Sequence, residues 1–216
     1  MSFDFADVSL TGWVLAGALA ALGVVLLVIA RGHIRWTARM LANAALCLAL
    51  AFVLSYIKLF DLPQGGAVTA ASLLPIVAFA YSYGLAPGLV VGVAYGLLQM
   101  IQDPWIVTPV QAILDYPLAF ACIALAAVAR KLPDSWGWLA GMALAAVGRF
   151  VCHTFTGVVF FAEYAEGTGM TPFVYSVSYN SFVFVDMAIC AVVMAFPQVR
   201  GALKRIKQAE FDHHAF

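Results

Sequence analysis

Seven long apolar runs, separated by short polar segments, constrain the fold of this chain more than any other feature of its sequence. A helix needs about 20 residues to cross a bilayer, and a spanning segment must satisfy its own backbone hydrogen bonds. The chain is 64% hydrophobic and 10% charged, which leaves no room for a separate soluble domain. We predict an all-α integral membrane protein that folds as one helical bundle. The predicted spans are residues 10–30, 40–58, 67–82, 86–101, 109–130, 137–162 and 172–196.

The third run is the least regular of the seven. Residues 67–82 are short for a span and contain Pro75, and a proline inside a helix removes one backbone hydrogen bond. A short span is accommodated by tilting or by local distortion. We therefore predict that this helix is kinked, tilted or re-entrant.

The basic residues of the chain cluster at one end of the predicted bundle. Cytoplasmic ends of membrane helices carry an excess of Lys and Arg. The clusters precede the second span, follow the fifth and follow the last: Arg31, Arg35, Arg39, Arg130, Lys131, Arg200, Lys204, Arg205 and Lys207. The opposite end carries Lys58 and the acids Asp4, Asp7, Asp61, Asp103, Glu163 and Glu166. These positions predict an N-terminus outside the cell and a cytoplasmic C-terminus.

The first run has a second interpretation as a signal peptide. The residues before positions 10–30 are acidic rather than basic, and no convincing cleavage site follows them. A secretory signal has a basic start and a small-residue cleavage site. A retained first helix is therefore favoured.

Two helix starts are marked by a hydroxyl residue directly before a proline. Thr108-Pro109 and Thr171-Pro172 each combine an N-capping side chain with a proline at the first helical position. In the predicted topology both helices begin at the outer face.

A second local pattern is a ridge of three glycines at four-residue spacing: Gly88, Gly92 and Gly96. Small residues allow neighbouring backbones to approach closely. The ridge predicts tight packing inside the bundle.

Catalytic and metal-binding motifs are missing from the sequence. Cys47, Cys122, Cys152 and Cys190 have no paired spacing and are interpreted as small buried hydrophobic residues rather than disulfide or metal ligands. The chain has no GxxxxGK[ST] phosphate loop, no GxSxG elbow and no HExxH pair. No motif therefore indicates hydrolysis of ATP or of a substrate by a recognisable route, and any energy source would lie in another chain.

Four polar residues on three spans point to a functional site. At about 1.5 Å rise per residue, Asp115 lies roughly 9 Å and His153 roughly 13 Å from the outer ends of their helices. Tyr175 and Asn180 lie roughly 5 and 12 Å below the start of theirs. Polar side chains often serve as interhelical contacts of small energy. Four at matching depth, including a carboxylate, favour a site, because intramembrane ionisable groups are usually functional.

Several neighbours lie near these four residues. Gln111 is four residues before Asp115 and Gly157 four after His153, so each lies on the same helix face as its partner. The aromatic residues Tyr116 and Trp105 lie near the same end of the bundle, and Pro117 is expected to bend the fifth helix. An acidic, aromatic pocket of this kind suits a small cationic or protonatable aromatic ligand.

Arg149 and Asp186 are predicted to form a different feature. They lie roughly 20 and 21 Å from the outer face on consecutive antiparallel spans. This depth places them below the pocket, and we predict a structural ion pair there. Removing one partner of such a pair is more damaging than replacing both by apolar residues.

Five stretches, taken in order, resemble one known family: LANAALCLALAFVLSYI, LPQGGAVTAASLLP, PVQAILDYPLAFA, HTFTGVVFFAEYA and YSVSYNS. From about Arg39 to Pro197 the chain is similar to the thiamin-specific substrate-binding subunits (S components, ThiT type) of energy-coupling factor (ECF) transporters, which import vitamins into bacteria. The resemblance implies a six-helix S-component core in the bacterial cell membrane, and here one extra N-terminal transmembrane helix. Residues 1–36 would form the extra helix, 37–198 the core and 199–216 a cytoplasmic basic tail.

The resemblance also implies a ligand site. In the family, the thiamin site is lined by the acid of Q-x-x-L-[DE]-Y, the His of H-x-x-x-G, and the Tyr and Asn of Y-S-x-x-x-N. These match the four polar residues already selected by depth. Tyr116 and Gly157 match further ligand-contacting positions, Trp105 stands at a position that is often Tyr, and Phe161 stands where some members have a stacking Trp.

Each matched residue then has an implied role. Asp115 and Asn180 would hold the aminopyrimidine, Tyr175 would hydrogen-bond it, Phe161 would stack on it, and His153 would pack against the thiazolium. Thiamin would be the transported ligand, so the resemblance implies a binding protein rather than an enzyme, and it implies no cofactor or nucleic acid.

The implied partners are an ECF module, formed by a transmembrane coupling subunit and two ATPase subunits, and the lipid bilayer. An A-x-x-x-A pair on the second span contacts the coupling subunit in the family, and Ala45 with Ala49 matches it. Departures fall at the pocket: Asp115 replaces Glu of some members, and the LPQGGAV loop lacks a Trp that some members have.

Two alternatives stay open from the sequence. An S component of this architecture could bind a thiamin precursor or another vitamin, because the departures at Asp115, Phe161 and the LPQGGAV loop all touch the pocket. An intramembrane enzyme that uses Asp115 and His153 as an acid-base pair is the other alternative.

Overall fold

The computed structural model describes residues 9–32 and 34–213. Its described part contains eight principal helices and one β-hairpin. The elements are α1 (Leu10–Gly32), α2 (Ala38–Ser55), β1 (Lys58–Asp61), β2 (Ala67–Thr69), α3 (Leu74–Tyr83), α4 (Leu85–Gln102), α5 (Pro109–Lys131), α6 (Asp134–Phe160), α7 (Pro172–Ala195) and α8 (Pro197–His213). A short 3-10 helix, Ala162–Ala165, follows α6.

Five of the described helices are long and apolar enough to cross a membrane. They are α2, α4, α5, the Trp136–Phe160 part of α6, and α7. Two shorter apolar helical segments, Leu10–Val25 in α1 and Leu74–Tyr83, accompany them. Their outer surfaces expose many large apolar side chains, as lipid-facing helices do. The predicted helical membrane protein is confirmed.

The prediction of one helix over residues 67–82 was wrong. Ala67–Thr69 instead pairs antiparallel with Lys58–Asp61, so the all-α description misses a two-stranded hairpin. The helix that follows, Leu74–Tyr83, is about 15 Å long and all its residues are buried. Pro75 lies in its first turn, where proline is tolerated, so no kink is required. This segment is a buried short helix in the centre of the bundle.

The predicted capping residues are confirmed at the starts of α5 and α7. Thr108 Oγ1 accepts a hydrogen bond from Gln111 N at 3.0 Å, and Thr171 Oγ1 accepts one from Val174 N at 3.3 Å. Each helix therefore begins at a defined residue on the end of the bundle that holds the candidate site.

The helical geometry of α5 changes along its length. It runs as an α-helix (Pro109–Ile113), a π turn (Leu114–Leu118), a short α segment (Ala119–Ala121) and a 3-10 helix (Cys122–Lys131). Pro117 lies inside the π turn. Proline has no N–H to donate and its ring clashes with the carbonyl one turn back in a regular helix. The irregularity expected at Pro117 is therefore a π turn, and this turn carries Asp115.

The glycine ridge of α4 packs directly on backbone, as predicted. A Cβ atom at Gly92 would lie 2.5 Å from the Phe120 carbonyl oxygen, and one at Gly96 would lie 2.5 Å from that of Tyr116. Contacts this short leave no space for a side chain. The ridge thus allows α4 to approach the π turn.

The C-terminal helix α8 docks on α3 at the basic end of the bundle. Leu203 is buried, and the Lys207 ammonium lies 4.8 Å from the centre of the Tyr81 ring. Arg130 donates a hydrogen bond to the Ser82 carbonyl oxygen at the same end. Two basic clusters therefore share one end, whereas Asp4 and Asp7, which were assigned to the other end, lie outside the described residues.

The described cysteines are free thiols, yet two of them meet. Cys47 and Cys190 are buried, as small hydrophobic residues would be. Cys122 of α5 and Cys152 of α6 have their sulfur atoms 3.6 Å apart, although 30 positions separate them in sequence. Within the described residues, no group of three or more His, Cys, Asp or Glu is arranged for a metal ion.

Candidate functional site

A cavity of about 140 Å³ lies among α4, α5, α6, α7 and the β-hairpin. All nine residues predicted to contact a ligand line it, although they come from four separate segments of the chain. They are Trp105, Gln111, Asp115, Tyr116, His153, Gly157, Phe161, Tyr175 and Asn180. Their roles toward a ligand stay predictions.

Asp115 is held by three side chains. Gln111 Nε2 donates to Asp115 Oδ2 at 2.6 Å, and His153 Nδ1 lies 2.9 Å from Asp115 Oδ1. Thr156 Oγ1 donates to the same Oδ1. A carboxylate accepts hydrogen bonds, so these three side chains fix the orientation of Asp115. The carboxylate is partly buried, at 13% side-chain exposure.

Gln111 connects Asp115 to the loop before α5. Its Oε1 accepts from Val107 N at 3.1 Å, and its Nε2 also donates to the Trp105 carbonyl oxygen at 3.1 Å. Only 1% of Gln111 is exposed. Because its polar atoms are already used by the protein, Gln111 is better suited to position Asp115 than to contact a ligand.

The Tyr116 hydroxyl is also used in hydrogen bonds within the protein. Its hydroxyl accepts from Trp105 N at 2.6 Å and donates to the Asp103 carbonyl oxygen at 3.1 Å. The phenol ring, rather than the hydroxyl, is therefore the surface that Tyr116 offers to the cavity.

His153 lies opposite Asp115 on α6. Because Asp115 accepts, the proton between them is assigned to His153 Nδ1. His153 Nε2 is buried and has no hydrogen-bond partner among the described residues. A buried imidazole nitrogen is usually paired, so this atom is an unusual polar group beside the cavity. The ring of Phe182 lies 6.4 Å from the imidazole ring.

Asn180 presents one side of its amide to the cavity. Its Nδ2 donates to Ser176 O at 2.9 Å, to Ser176 Oγ at 3.2 Å and to His153 O at 3.2 Å. The donor side of this amide is therefore used by α6 and α7, and Oδ1 is left as the acceptor for a ligand amine.

Gly157 is required by the approach of α7. A Cβ atom there would overlap Ser176 Oγ, and that hydroxyl donates to the Thr154 carbonyl oxygen at 2.9 Å. Glycine at this position therefore sets the distance between the two helices that carry His153 and Asn180.

Aromatic rings form the outer wall of the cavity. Phe161 stacks on Tyr164 with ring centres 5.7 Å apart, and Tyr175 stacks on Tyr179 at 6.3 Å. Stacked rings offer flat apolar faces to an aromatic or cationic ligand.

The hairpin loop covers this wall. Gln64 Nε2 donates to Tyr175 Oη at 3.0 Å, and the backbone N–H groups of Gln64 and Gly66 donate to Tyr179 Oη at 3.1 and 3.3 Å. Gly65, with φ of 80°, packs against the Trp105 side chain. Positive φ favours glycine, so the PQGG sequence fits a tight loop seated on the aromatic residues.

Arg149 and Asp186 form the predicted ion pair, at 3.2 Å with both side chains buried. Their placement below the pocket was wrong, because both line the same cavity. Thr69 N and Oγ1 also donate to Asp186 Oδ1, at 2.9 and 3.0 Å. The error arose because helix arithmetic gives the depth of an α-carbon and does not show how deep a cavity reaches.

The charges of the cavity lining do not cancel. Its described charged side chains are Lys58, Asp103, Asp115, Arg149 and Asp186. Arg149 pairs with Asp186, and Lys58 pairs with Asp103 at 2.6 Å and with Asp61 at 2.9 Å. The hydrogen bonds that Lys58 donates to Asp103 and Asp61 raise the pKa of Lys58 and keep it charged. Among the described residues, Asp115 is thus the lining carboxylate that has no Lys or Arg partner.

Several lining residues were not found from the sequence. Tyr179 and Thr156 lie four residues after Tyr175 and three after His153, so helix periodicity would have found both. Gln64 and Tyr164 lie in the hairpin loop and in the 3-10 helix. No periodic pattern indicates their direction, because tertiary contacts determine the path of these loops.

The chain matches known proteins over most of its length. The family model of the thiamine transporter protein (Thia_YuaJ) matches residues 41–205. The thiamine transporter ThiT of Bacillus subtilis (strain 168) is 30% identical over 179 residues, which cover 74% of this chain and 92% of that protein. The thiamine transporter ThiT of Lacticaseibacillus paracasei is 28% identical over 171 residues, which cover 70% and 82% of the two chains.

Solved structures match the same fold. ThiT from Listeria monocytogenes superposes with a TM-score of 0.63 at 26% identity, over 74% of this chain and 96% of that chain. The S component of a bacterial ECF transporter gives a TM-score of 0.53 at 20% identity, over 77% and 98%. The second likeness shows a shared fold.

Proposed function

Because the chain belongs to the thiamine transporter protein family, we propose that it captures thiamin at the outer side of the membrane. It would act as the substrate-binding membrane subunit of an ECF-type vitamin importer. The likeness to an S component supports this assignment at the level of the fold. The relatives are transporters, and the chain is not an enzyme.

The observation that carries the proposal is that the Asp115 carboxylate faces the cavity in a fixed orientation. It is the lining carboxylate without a Lys or Arg partner in the described structure, and three hydrogen bonds fix its orientation. Thiamin carries a fixed positive charge on its thiazolium and an aminopyrimidine that donates hydrogen bonds. A preorganised carboxylate among aromatic rings suits both groups.

The contacts of the site support individual roles for its residues. Asp115 and Asn180 Oδ1 are acceptors that would hold the aminopyrimidine, and Tyr175 would hydrogen-bond it. Phe161 would stack on the ligand and His153 would pack against the thiazolium. In the structure the Tyr175 hydroxyl is hydrogen-bonded to the Gln64 side chain, so Gln64 lies next to the group that would bind the ligand.

The proposed partner is an ECF module that consists of a transmembrane coupling subunit and two ATPase subunits. Ala45 and Ala49 are both exposed on α2, so this face of the helix is not used inside the bundle. Small residues permit close helix contact, which supports docking of the coupling subunit there. We place the N-terminus outside and the C-terminus in the cytoplasm, in agreement with the basic end formed by α8 and the end of α5.

The test is a titration of the purified protein with thiamin, followed by tryptophan fluorescence, because Trp105 lines the cavity. We expect saturable quenching that is lost in Asp115→Asn. Glu166→Gln is the matched control, since it removes one exposed acid outside the cavity lining. A response to the pyrimidine half or to another vitamin, but none to thiamin, would keep the fold and overturn the ligand.

A further inference from the structure

The first helix, α1, lies outside residues 41–205 that match the family model. It nevertheless packs against α4, α5 and α6. Among its described side chains, one stripe is buried: Gly12, Ala16, Ala20 and Gly23. Small residues at this spacing let another helix approach closely. The position of α1 is therefore defined by a specific face.

This face contacts the π turn that carries Asp115. Ala16 and Ala20 form a buried apolar cluster with Leu114, the residue directly before Asp115. A Cβ atom added to Gly23 would lie 2.6 Å from Leu118 Cδ1, so the α1 backbone touches the last residue of the turn. Both ends of the π turn thus pack against α1.

A second contact reaches the end of α6. The Trp13 ring packs edge-on against Phe160, with ring centres 5.4 Å apart. Phe160 is buried and directly precedes Phe161, which lines the cavity. The helix α1 therefore contacts the chain neighbours of two site residues without lining the cavity itself.

A π turn needs such support more than a regular helix does. Its wide geometry is seldom stable by itself and occurs mostly as single turns at functional sites. On one side, Gly96 of α4 packs against the carbonyl oxygen of Tyr116 and the α-carbon of Pro117. On the other side, Leu114 and Leu118 pack against α1. The turn is thus held between two small-residue helix faces.

We propose that α1 is an intramolecular brace that positions Asp115 and Phe161 for ligand binding. This inference rests on the proposed function, because its main readout is thiamin affinity. Movement of the turn by a fraction of an ångström would misalign the Asp115 carboxylate with its three donors and with the ligand.

The test compares two Gly→Leu variants within α1. Gly23→Leu places a side chain against Leu118, whereas a Cβ atom at Gly17 meets no heavy atom within 4 Å. We expect Gly23→Leu to weaken thiamin binding at least tenfold and Gly17→Leu to stay within twofold of the unmodified protein. If Gly23→Leu does not purify as a folded protein, Gly23→Ala and Gly17→Ala are compared, and the difference in affinity is expected to be smaller because the Leu118 side chain can rotate away from one methyl group.

Leu118→Ala provides a rescue that separates positioning from stability. By itself it removes partly buried methyl groups and is expected to lower stability. Combined with Gly23→Leu it restores space at the contact, so affinity is expected to recover even though packing is lost. Wild-type affinity in Gly23→Leu, equal loss in Gly17→Leu, or failure of the rescue would each overturn the brace.

Hydrogen exchange gives a readout that needs no ligand. Without thiamin, amides of residues 113–119 are expected to exchange faster in Gly23→Leu than in Gly17→Leu, because the braced turn opens more often. Equal exchange would overturn the brace. Failure of the unmodified protein to bind thiamin would overturn the proposed function, and the exchange result would still decide the role of α1.

Discussion

At the scale of single residues, the site is organised around the position of one carboxylate. Asp115 lies in the π turn of α5, and its donors come from α5 and α6. Gln111 and Tyr116 were predicted as ligand contacts. Their polar atoms instead form hydrogen bonds within the protein. The site therefore consists of a few groups that face the ligand and others that orient them.

Thr156 tests this division. Thr156→Val removes the hydroxyl that donates to Asp115 and keeps a similar shape. A hydrogen bond to a charged group is worth about 1.5–3 kcal/mol, so we expect thiamin affinity to fall at least about tenfold. Thr156→Ser, which retains the hydroxyl, is the matched control and should stay close to the unmodified protein. Equal binding by Thr156→Val measured by calorimetric titration would mean that this hydroxyl has no orienting role.

The buried Arg149–Asp186 pair makes a prediction about stability. Asp186→Asn leaves the Arg149 charge without its carboxylate, while the new amide can still accept from Thr69. Breaking a buried pair costs about 3–5 kcal/mol. The double variant Arg149→Met with Asp186→Asn removes both charges and should be the more stable of the two. Thermal unfolding in detergent compares the stabilities of the two variants. A double variant that is no more stable than Asp186→Asn would refute a structural ion pair.

At the scale of helices and strands, the local patterns that could be predicted are the periodic ones. The apolar runs and the Thr-Pro caps gave the spans and two exact helix starts, because hydropathy and capping act over a few neighbouring residues. The hairpin of β1 and β2 was missed, since strand pairing depends on hydrogen bonds between segments that the apolar pattern does not record. Pro117 indicated an irregularity, but the sequence alone did not show that it would be a π turn.

The same division applies to the candidate site. His153, Tyr175 and Asn180 lie on regular helices, and Asp115 lies in a single π turn within α5, so depth along the helix could select all four. Gln64 could not, because its direction depends on the fold of the PQGG loop and on its hydrogen bonds to Tyr175 and Tyr179.

The contact between α4 and α5 predicts a severe effect for a small change. In Gly96→Ala the new methyl group would meet the Tyr116 carbonyl oxygen and the Pro117 α-carbon. Backbone atoms cannot rotate away, so the helices must separate, and overpacking of this kind costs about 1–3 kcal/mol. We expect a thermal midpoint lower by several degrees and weaker thiamin binding. Gly17→Ala is the matched control, and an equal response of both variants would argue against tight packing at Gly96.

At the scale of the whole molecule, charge separates the two ends of the bundle. Lys58, Asp61 and Asp103 form ion pairs beside the cavity, whereas exposed basic residues of α8 lie at the opposite end with Arg130. The positive end should face the cytoplasm. The cavity would then open to the outside, as capture of an external vitamin requires.

Orientation is tested by labelling single introduced cysteines in intact cells. Glu166→Cys and Arg205→Cys are both at exposed positions. A membrane-impermeant maleimide should label Glu166→Cys in intact cells and Arg205→Cys after permeabilisation. The unmodified protein, whose four cysteines are buried or partly buried, measures the background. The reverse pattern of labelling would invert the proposed topology.

The most direct test of the proposed function is equilibrium binding of radiolabelled thiamin to the purified chain, followed by chemical identification of the released ligand. Capture by a binding subunit predicts one thiamin per chain, bound reversibly and recovered unchanged, with binding lost in Asp115→Asn and kept in Glu166→Gln. An absence of saturable thiamin binding, or recovery of thiamin as a reaction product, would contradict the assignment of this chain as a thiamin-binding subunit.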